Sequence, residues 1–276
     1  MPTQNPIFEF AMEFAGYTAA LLMGILLGLI GGGGSILTVP ILVYLFGTNP
    51  TLSTAYSLFI VGITALIGSI SHFRKGNVNL KMALFFGLPS MIAVFLVRRF
   101  VVTAIPDQIA TMGNIEITRD NFILTLFAIL MLAAAWTMIK PSITLNKSSD
   151  EKQVRLGWII FEGVVVGGLT GLVGAGGGFL IIPALVLFTG IQMKEAIGTS
   201  LVIIAVKSLF GFLGDASATS GIDYSFLITF STFAIGGIII GSNLIRFIDN
   251  QKLKPAFGWF VLFSGILVLI KEWIMK

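Results

Sequence analysis

Cysteine is absent from this chain of 276 residues, so neither a disulfide nor a thiolate metal site is available to it. Histidine occurs once, at His72, which excludes a multi-histidine metal centre. Charge is scarce as well: Asp, Glu, Lys and Arg make up 11% of the residues, against about 25% in an ordinary soluble domain. No long basic run is present, so the net charge of +4 is assigned to loop lysines and arginines and no nucleic-acid partner is expected. No Walker-type loop occurs, so the chain cannot by itself drive work with ATP. No nucleophile, base and acid stand together in the apolar blocks, and the chain is not read as an enzyme; no cofactor is expected.

What remains is mostly apolar. Hydrophobic residues account for 56% of the chain and the mean hydropathy is +0.98. A soluble core of this length leaves too much of its surface outside to hide that many apolar side chains. The expected class is therefore all-α integral membrane, with the lipid bilayer as solvent. A span needs about 20 apolar residues. Eight hydrophobic blocks are available, near 14–46, 54–71, 82–105, 122–139, 156–190, 196–214, 225–248 and 256–275. Met1 to Glu13 contains two glutamates and no Lys or Arg, so it lacks the basic region of a secretory signal and the first apolar segment is expected to stay.

Blocks one and five are too long for a single helix, and glycine interrupts each. The first reads Gly31-Gly32-Gly33-Gly34-Ser35 and then Pro40; the fifth reads Gly174-Ala175-Gly176-Gly177-Gly178 and then Pro183. Each glycine costs a helix interior about 1 kcal/mol, so such a run should break the helix. Displacing the chain by 143 residues brings Pro40 onto Pro183, Gly24 onto Gly167, Gly28 onto Gly171, Gly47 onto Gly190 and Ser57 onto Ser200. Residues 24–47 then match 167–190 at 12 of 24 positions, with the glycines and the proline in register. The chain reads as a duplication: a first membrane repeat over 1–140, a polar linker over 141–155 and a second repeat over 156–276. Secondary transporters are often built from such repeats, with the substrate site at their interface near the midplane.

On these motifs, Gly28-Leu-Ile-Gly-Gly-Gly-Gly-Ser35 with Pro40 and Gly171-Leu-Val-Gly-Ala-Gly-Gly-Gly178 with Pro183, the chain resembles the sulfite exporter TauE/SafE family. Tyr56-Ser57-Leu58, Gly198-Thr199-Ser200-Leu201 and the turns Asn77-Val78-Asn79 and Gly221-Ile222-Asp223 reinforce it, and the likeness covers about residues 15–270. The resemblance implies a transporter of small sulfur-containing or organic anions, sulfite or sulfonate-like, in a bacterial inner membrane. An anion channel and a non-transporting membrane subunit remain as alternatives. A coupling ion, proton or sodium, is a possible further partner.

The candidate site follows from backbone chemistry. A broken helix leaves N–H groups without intrahelical partners, and a half-helix N-terminus favours anions. The expected anion-binding residues are Gly32, Gly33, Gly34 and Ser35 at the first break and Gly176, Gly177 and Gly178 at the second. Ser57, Thr199, Ser200 and Lys207 join them from the following helices; the plainer reading of the glycines is close helix packing. Ser200, Lys207, Gly211 and Gly214 share a helical face, and Ser57, Thr64, Gly68 and Ser71 repeat the spacing. Lys207 is the sharpest residue, since a lysine at mid-span costs about 2.5–3.5 kcal/mol on insertion scales. It is read either as the charge that attracts an anion or as a structural partner of Glu162 or Asp215. Those two carboxylates are the candidates for proton coupling. His72, Arg98 and Arg99 read as residues of the membrane boundary. Basic residues cluster at 74–81, 140–155 and 246–254, and all three clusters reach one side of the membrane only if both glycine-broken blocks turn back, which would invert the halves.

Overall fold

In lipid every backbone N–H and C=O must find its partner within the chain, and apolar blocks of this length meet that demand as helices. The computed structural model describes residues 6–112, 115–139, 156–174, 176–185, 191, 193–216, 221–244 and 250–273. Ten α-helices occur among them: α1 (Pro6–Ile30), α2 (Thr38–Tyr44), α3 (Pro50–Arg74), α4 (Leu80–Leu96), α5 (Arg119–Ile139), α6 (Leu156–Val173), α7 (Gly178–Ala184), α8 (Met193–Ala216), α9 (Tyr224–Leu244) and α10 (Asn250–Trp273). A 3-10 turn, Gly33–Leu37, leads into α2, and a π-helical segment, Val97–Val102, prolongs α4. Six of the helices are long and apolar enough to cross a bilayer, and each of the eight apolar blocks contains helix. Among the described residues the one strand pair is a small antiparallel hairpin, β1 (Gln108–Met112) and β2 (Ile115–Thr118), within the polar stretch after α4. The linker 141–155 lies outside the described residues.

Several helices, α3, α4 and α9 among them, start on side-chain caps that their sequences supply. Asn49 Oδ1 accepts from the N–H of Thr51 and of Leu52 ahead of Pro50, Asn79 Oδ1 accepts from Met82 N–H, and Asp223 Oδ1 accepts from Phe226 N–H. Each cap satisfies donors that a helix N-terminus leaves free.

Helix directions follow from neighbouring residues. Gly24 packs on Ala234 and Gly28 on Ile238 and Ser242, so α1 and α9 run parallel. Gly163, Gly167 and Gly171 pack in turn on Phe86, Ser90 and Val94, so α6 and α4 run parallel. Gly87 meets Ile203 and Gly211 meets Val94, which sets α8 parallel to α4. Tyr56 bonds Asp223 and Gly68 packs on Ile238, which sets α3 parallel to α9. By contrast α3 and α8 are antiparallel, with Gly62 against Leu209 and Gly198 against His72, and α5 and α10 are antiparallel, with Thr125 bonded to Trp273 and Met131 against Gly265. The first turns of α3 and α5 meet through Asn49, Thr51 and Asp120. Helices α1, α3, α5 and α9 therefore run one way and α4, α6, α8 and α10 the other.

Since α1 and α3 share a direction, the chain between them must return. Gly34 packs back on Met23 and Leu27, and Phe46 meets Tyr17 edge to face and covers Gly16, so Gly33–Tyr44 retraces α1 as a helical hairpin. The same reasoning holds for α6 and α8, with α7 on the return path. The turn after α3, the C-terminal ends of α5 and α9 and the start of α6 all face one side. The three basic clusters flank these ends.

Candidate functional site

The two glycine breaks sit at the tips of the two hairpins. Gly31 adopts φ +79, and Gly174, Gly176 and Gly177 adopt +71, +64 and +65. These are left-handed conformations that residues with a Cβ rarely take. The tips meet: a side chain at Gly32 would collide with the Gly178 backbone, and one at Gly178 with Gly32. Backbone thus touches backbone at the centre of the helix bundle. The short helices α2 and α7 follow the two breaks, each with 7 residues.

Around the second break the side chains are polar and buried. Lys207 is 1% exposed, and its ammonium donates to Thr170 Oγ1 at 3.1 Å. A Cβ at Gly177 would lie 2.7 Å from Lys207 Nζ and would overlap the Thr170 side chain. The ammonium therefore rests directly over the break, where glycine alone leaves room. Among the described residues no carboxylate pairs with Lys207. Ser35 from the first hairpin and Val61 from α3 border Gly176, and Thr54 packs on Gly174. Ser57 lies one turn above Thr54 on the same face of α3; it is fully buried and its Oγ has no partner.

The first break is the neutral counterpart. Ile197 of α8 covers Gly31, and Ile204 reaches Gly178. Ser35 Oγ donates to Gly32 O at 2.7 Å, and Ser200 Oγ is taken up by Ile197 O at 2.8 Å. Gly34 packs on Leu27 as Gly177 packs on Thr170, and the position matching Lys207 is Thr64, whose hydroxyl bonds Ile60 O.

Several expected roles change. Thr199 is not at a break: its Oγ1 accepts from Asn79 N–H at 2.8 Å, while Asn79 Nδ2 donates to Glu195 Oε1 at 2.8 Å. It clamps the α3–α4 turn onto the start of α8. Its counterpart Tyr56 accepts from Asp223 N–H at 2.8 Å and clamps the α8–α9 turn onto α3. Asp215 does not pair with Lys207; its partner is Arg98, 3.0 Å away and fully buried near the end of the span, whereas Arg99 is exposed. His72 is also buried, packed beside Gly198. Glu162 is half-buried two turns into α6, about 12 Å along the axis from Thr170, and does not reach Lys207. Gly68 and Gly211 accommodate Ile238 and Val94, so the small-residue stripes there serve close packing.

Thr170 escaped sequence reasoning although a signal was present. Leu27 and Thr64 in the first half become Thr170 and Lys207 in the second, two departures from the repeat that meet in space.

Comparison with known proteins gives the family. The sequence model of the family described as "Sulfite exporter TauE/SafE" matches residues 17–268. The chain belongs to the TauE/SafE sulfite exporter family. Within this assignment, a "Probable membrane transporter protein" of Xylella fastidiosa is 30% identical over 258 residues, covering 91% of this chain and 93% of the relative. A probable membrane transporter protein of Methanocaldococcus jannaschii is 31% identical over 248 residues, 85% of each chain. One from Bacillus subtilis is 26% identical over 252 residues, 90% of this chain and 96% of its own. No solved structure matches. This TauE/SafE family member is a multi-pass membrane transporter protein.

Proposed function

We propose that the transporter carries a small sulfur-containing or organic anion, sulfite- or sulfonate-like, across the bacterial inner membrane, and that it binds the anion between the two hairpin tips. The observation that carries this reading is Lys207: a buried ammonium over a glycine break, with Thr170 as its hydrogen-bond partner and no described carboxylate to neutralise it. A cation so placed is costly unless an anion joins it. Thr170 holds the ammonium toward Gly176 and Gly177, and Ser57 and Ser35 supply hydroxyls on the facing side.

The two halves, 1–140 and 156–276, are read as inverted copies of one unit. Supporting this, α3 and α8 run antiparallel to each other, as do α5 and α10, and each break faces the other half's long helix. Their difference is chemical: the second break carries a charge and the first does not. One anion per cycle is the corresponding stoichiometry. Coupling to a proton or sodium gradient is the corresponding energy source, with Glu162 the carboxylate open to a proton role, since Asp215 is held by Arg98.

Uptake of radiolabelled sulfite, sulfoacetate, taurine and acetate into proteoliposomes tests the reading. Saturable flux of a sulfur anion is expected in the native chain. Lys207→Ala should lose it by 10- to 100-fold, about the 1.5–3 kcal/mol of a charged hydrogen bond. Intact flux in a well-folded Lys207→Ala chain overturns the assignment of Lys207, and no flux of any of these anions overturns the substrate class.

A further inference from the structure

A second buried cation lies beyond Lys207 along α8. Arg98, in the π-helical end of α4, is 0% exposed, and its Nε stands 3.0 Å from Asp215 Oδ2. The pairing is incomplete. Nε, Nη1 and Nη2 are all buried, and none has an aligned hydrogen-bond acceptor. A guanidinium presents five donors in a fixed planar fork that matches a carboxylate or oxyanion edge through two parallel bonds. A purely structural partner would engage that fork; Asp215 touches it at one atom. Buried donors left without acceptors are expensive, and such groups mark unfilled binding capacity or stored strain. Single-turn π segments within α-helices concentrate at functional places.

Its position ties Arg98 to the site at the break. Lys207, Gly211 and Gly214 follow one face of α8 at intervals of four and three, and Gly214 lies directly beneath Arg98, whose Cβ would be 3.2 Å from a Cβ there. From Lys207 to Asp215 is about 12 Å along the axis. Gly171 at the end of α6 packs on Val97, so the same corner adjoins the approach to the second break. It lies toward the end of α8 away from the basic α3–α4 turn.

We propose that Arg98 is a second anion-binding station, serving the membrane face opposite the basic clusters and held closed here by Asp215. It rests on the reading of Lys207 as the central anion site. When Asp215 moves aside, the guanidinium fork receives the same class of ligand, an oxyanion or carboxylate with two oxygens in a plane. Lys207 acts as a point charge at the centre and Arg98 as a geometric receptor near the exit.

Equilibrium binding of radiolabelled sulfite to the full chain in detergent tests this. The native protein should bind one sulfite per chain, lost in Lys207→Ala. Asp215→Asn should bind two, and Asp215→Asn with Arg98→Gln should return to one. An unchanged single site in Asp215→Asn overturns the Arg98 station while leaving Lys207 in place. A native site that survives Lys207→Ala overturns the central reading instead, and absence of binding in every chain overturns both. Where Asp215→Asn does not fold, the pair Arg98→Met with Asp215→Leu keeps the volume and removes both charges. A monodisperse chain of that kind should lose sulfite flux at least tenfold, and full flux makes the pair structural.

Discussion

At the scale of the residue, the site is decided by where a Cβ is tolerated. Gly177 has φ +65 and lies against Thr170 and the Lys207 ammonium. Gly177→Ala combines backbone strain of about 1–3 kcal/mol with a collision. The expected outcome is a sharp fall in the yield of folded protein, read by size-exclusion chromatography. Gly168, two residues before Thr170 on α6, has nothing near its absent Cβ. Gly168→Ala is expected to be neutral or to raise thermal stability by up to about 1 kcal/mol through helix propensity, so equal damage at both positions would refute the packing argument. Thr170→Val keeps the volume and removes the hydroxyl that directs Lys207. Because the charge stays, KM for the transported anion should rise several-fold with little change in maximal flux; an unchanged KM would show that the ammonium needs no guide.

At the scale of the element, the two inter-half clamps are the informative feature. Asn79 N–H on Thr199 and Asp223 N–H on Tyr56 join each α-helical turn to the long helix of the other half, at opposite ends of the antiparallel α3–α8 pair. Each is a backbone donor satisfied by a single hydroxyl, a net contribution of about 0.5–1.5 kcal/mol. Thr199→Val and Tyr56→Phe should each lower the unfolding free energy in detergent by about that amount, seen as a lower melting temperature, and together by the sum, since the clamps lie far apart. Strong non-additivity would show that the two faces are coupled through the α3–α8 pair. Thr199 and Ser200 are adjacent candidates for the site, yet the Thr199 hydroxyl is engaged by Asn79 N–H. A helix places adjacent residues about 100° apart, so neighbours in sequence serve different partners.

At the scale of the whole molecule, the helix directions fix which loops share a side. The α3–α4 turn carries exposed Lys75, and the β-hairpin follows α4 at the other end, with Asp107 exposed beside it. From the distribution of Lys and Arg we expect the α3–α4 turn on the cytoplasmic side. The natural absence of cysteine makes the chain its own labelling background. In whole cells a membrane-impermeant maleimide should modify Asp107→Cys and spare Lys75→Cys, with the reverse in inside-out vesicles. Labelling of both from one side would overturn α4 as a membrane-crossing helix.

What the sequence by itself determined is whatever depends on solvent and on local backbone chemistry. Apolar blocks of span length had to be helices in lipid, glycine runs had to break them, and Asn49, Asn79 and Asp223 had to begin new ones, because each requirement is met within a few residues. The matched glycines also pointed to the two places where the hairpin tips meet. Only the tertiary structure decided which groups meet. Thr170 and Lys207 stand 37 positions apart and Arg98 and Asp215 still further, and their pairing depends on α6, α8 and α4 running in parallel. Burial likewise separated Arg98 from Arg99, identical neighbours in sequence, because successive residues of a helix face different surroundings: one the interior beside Asp215, the other the outside.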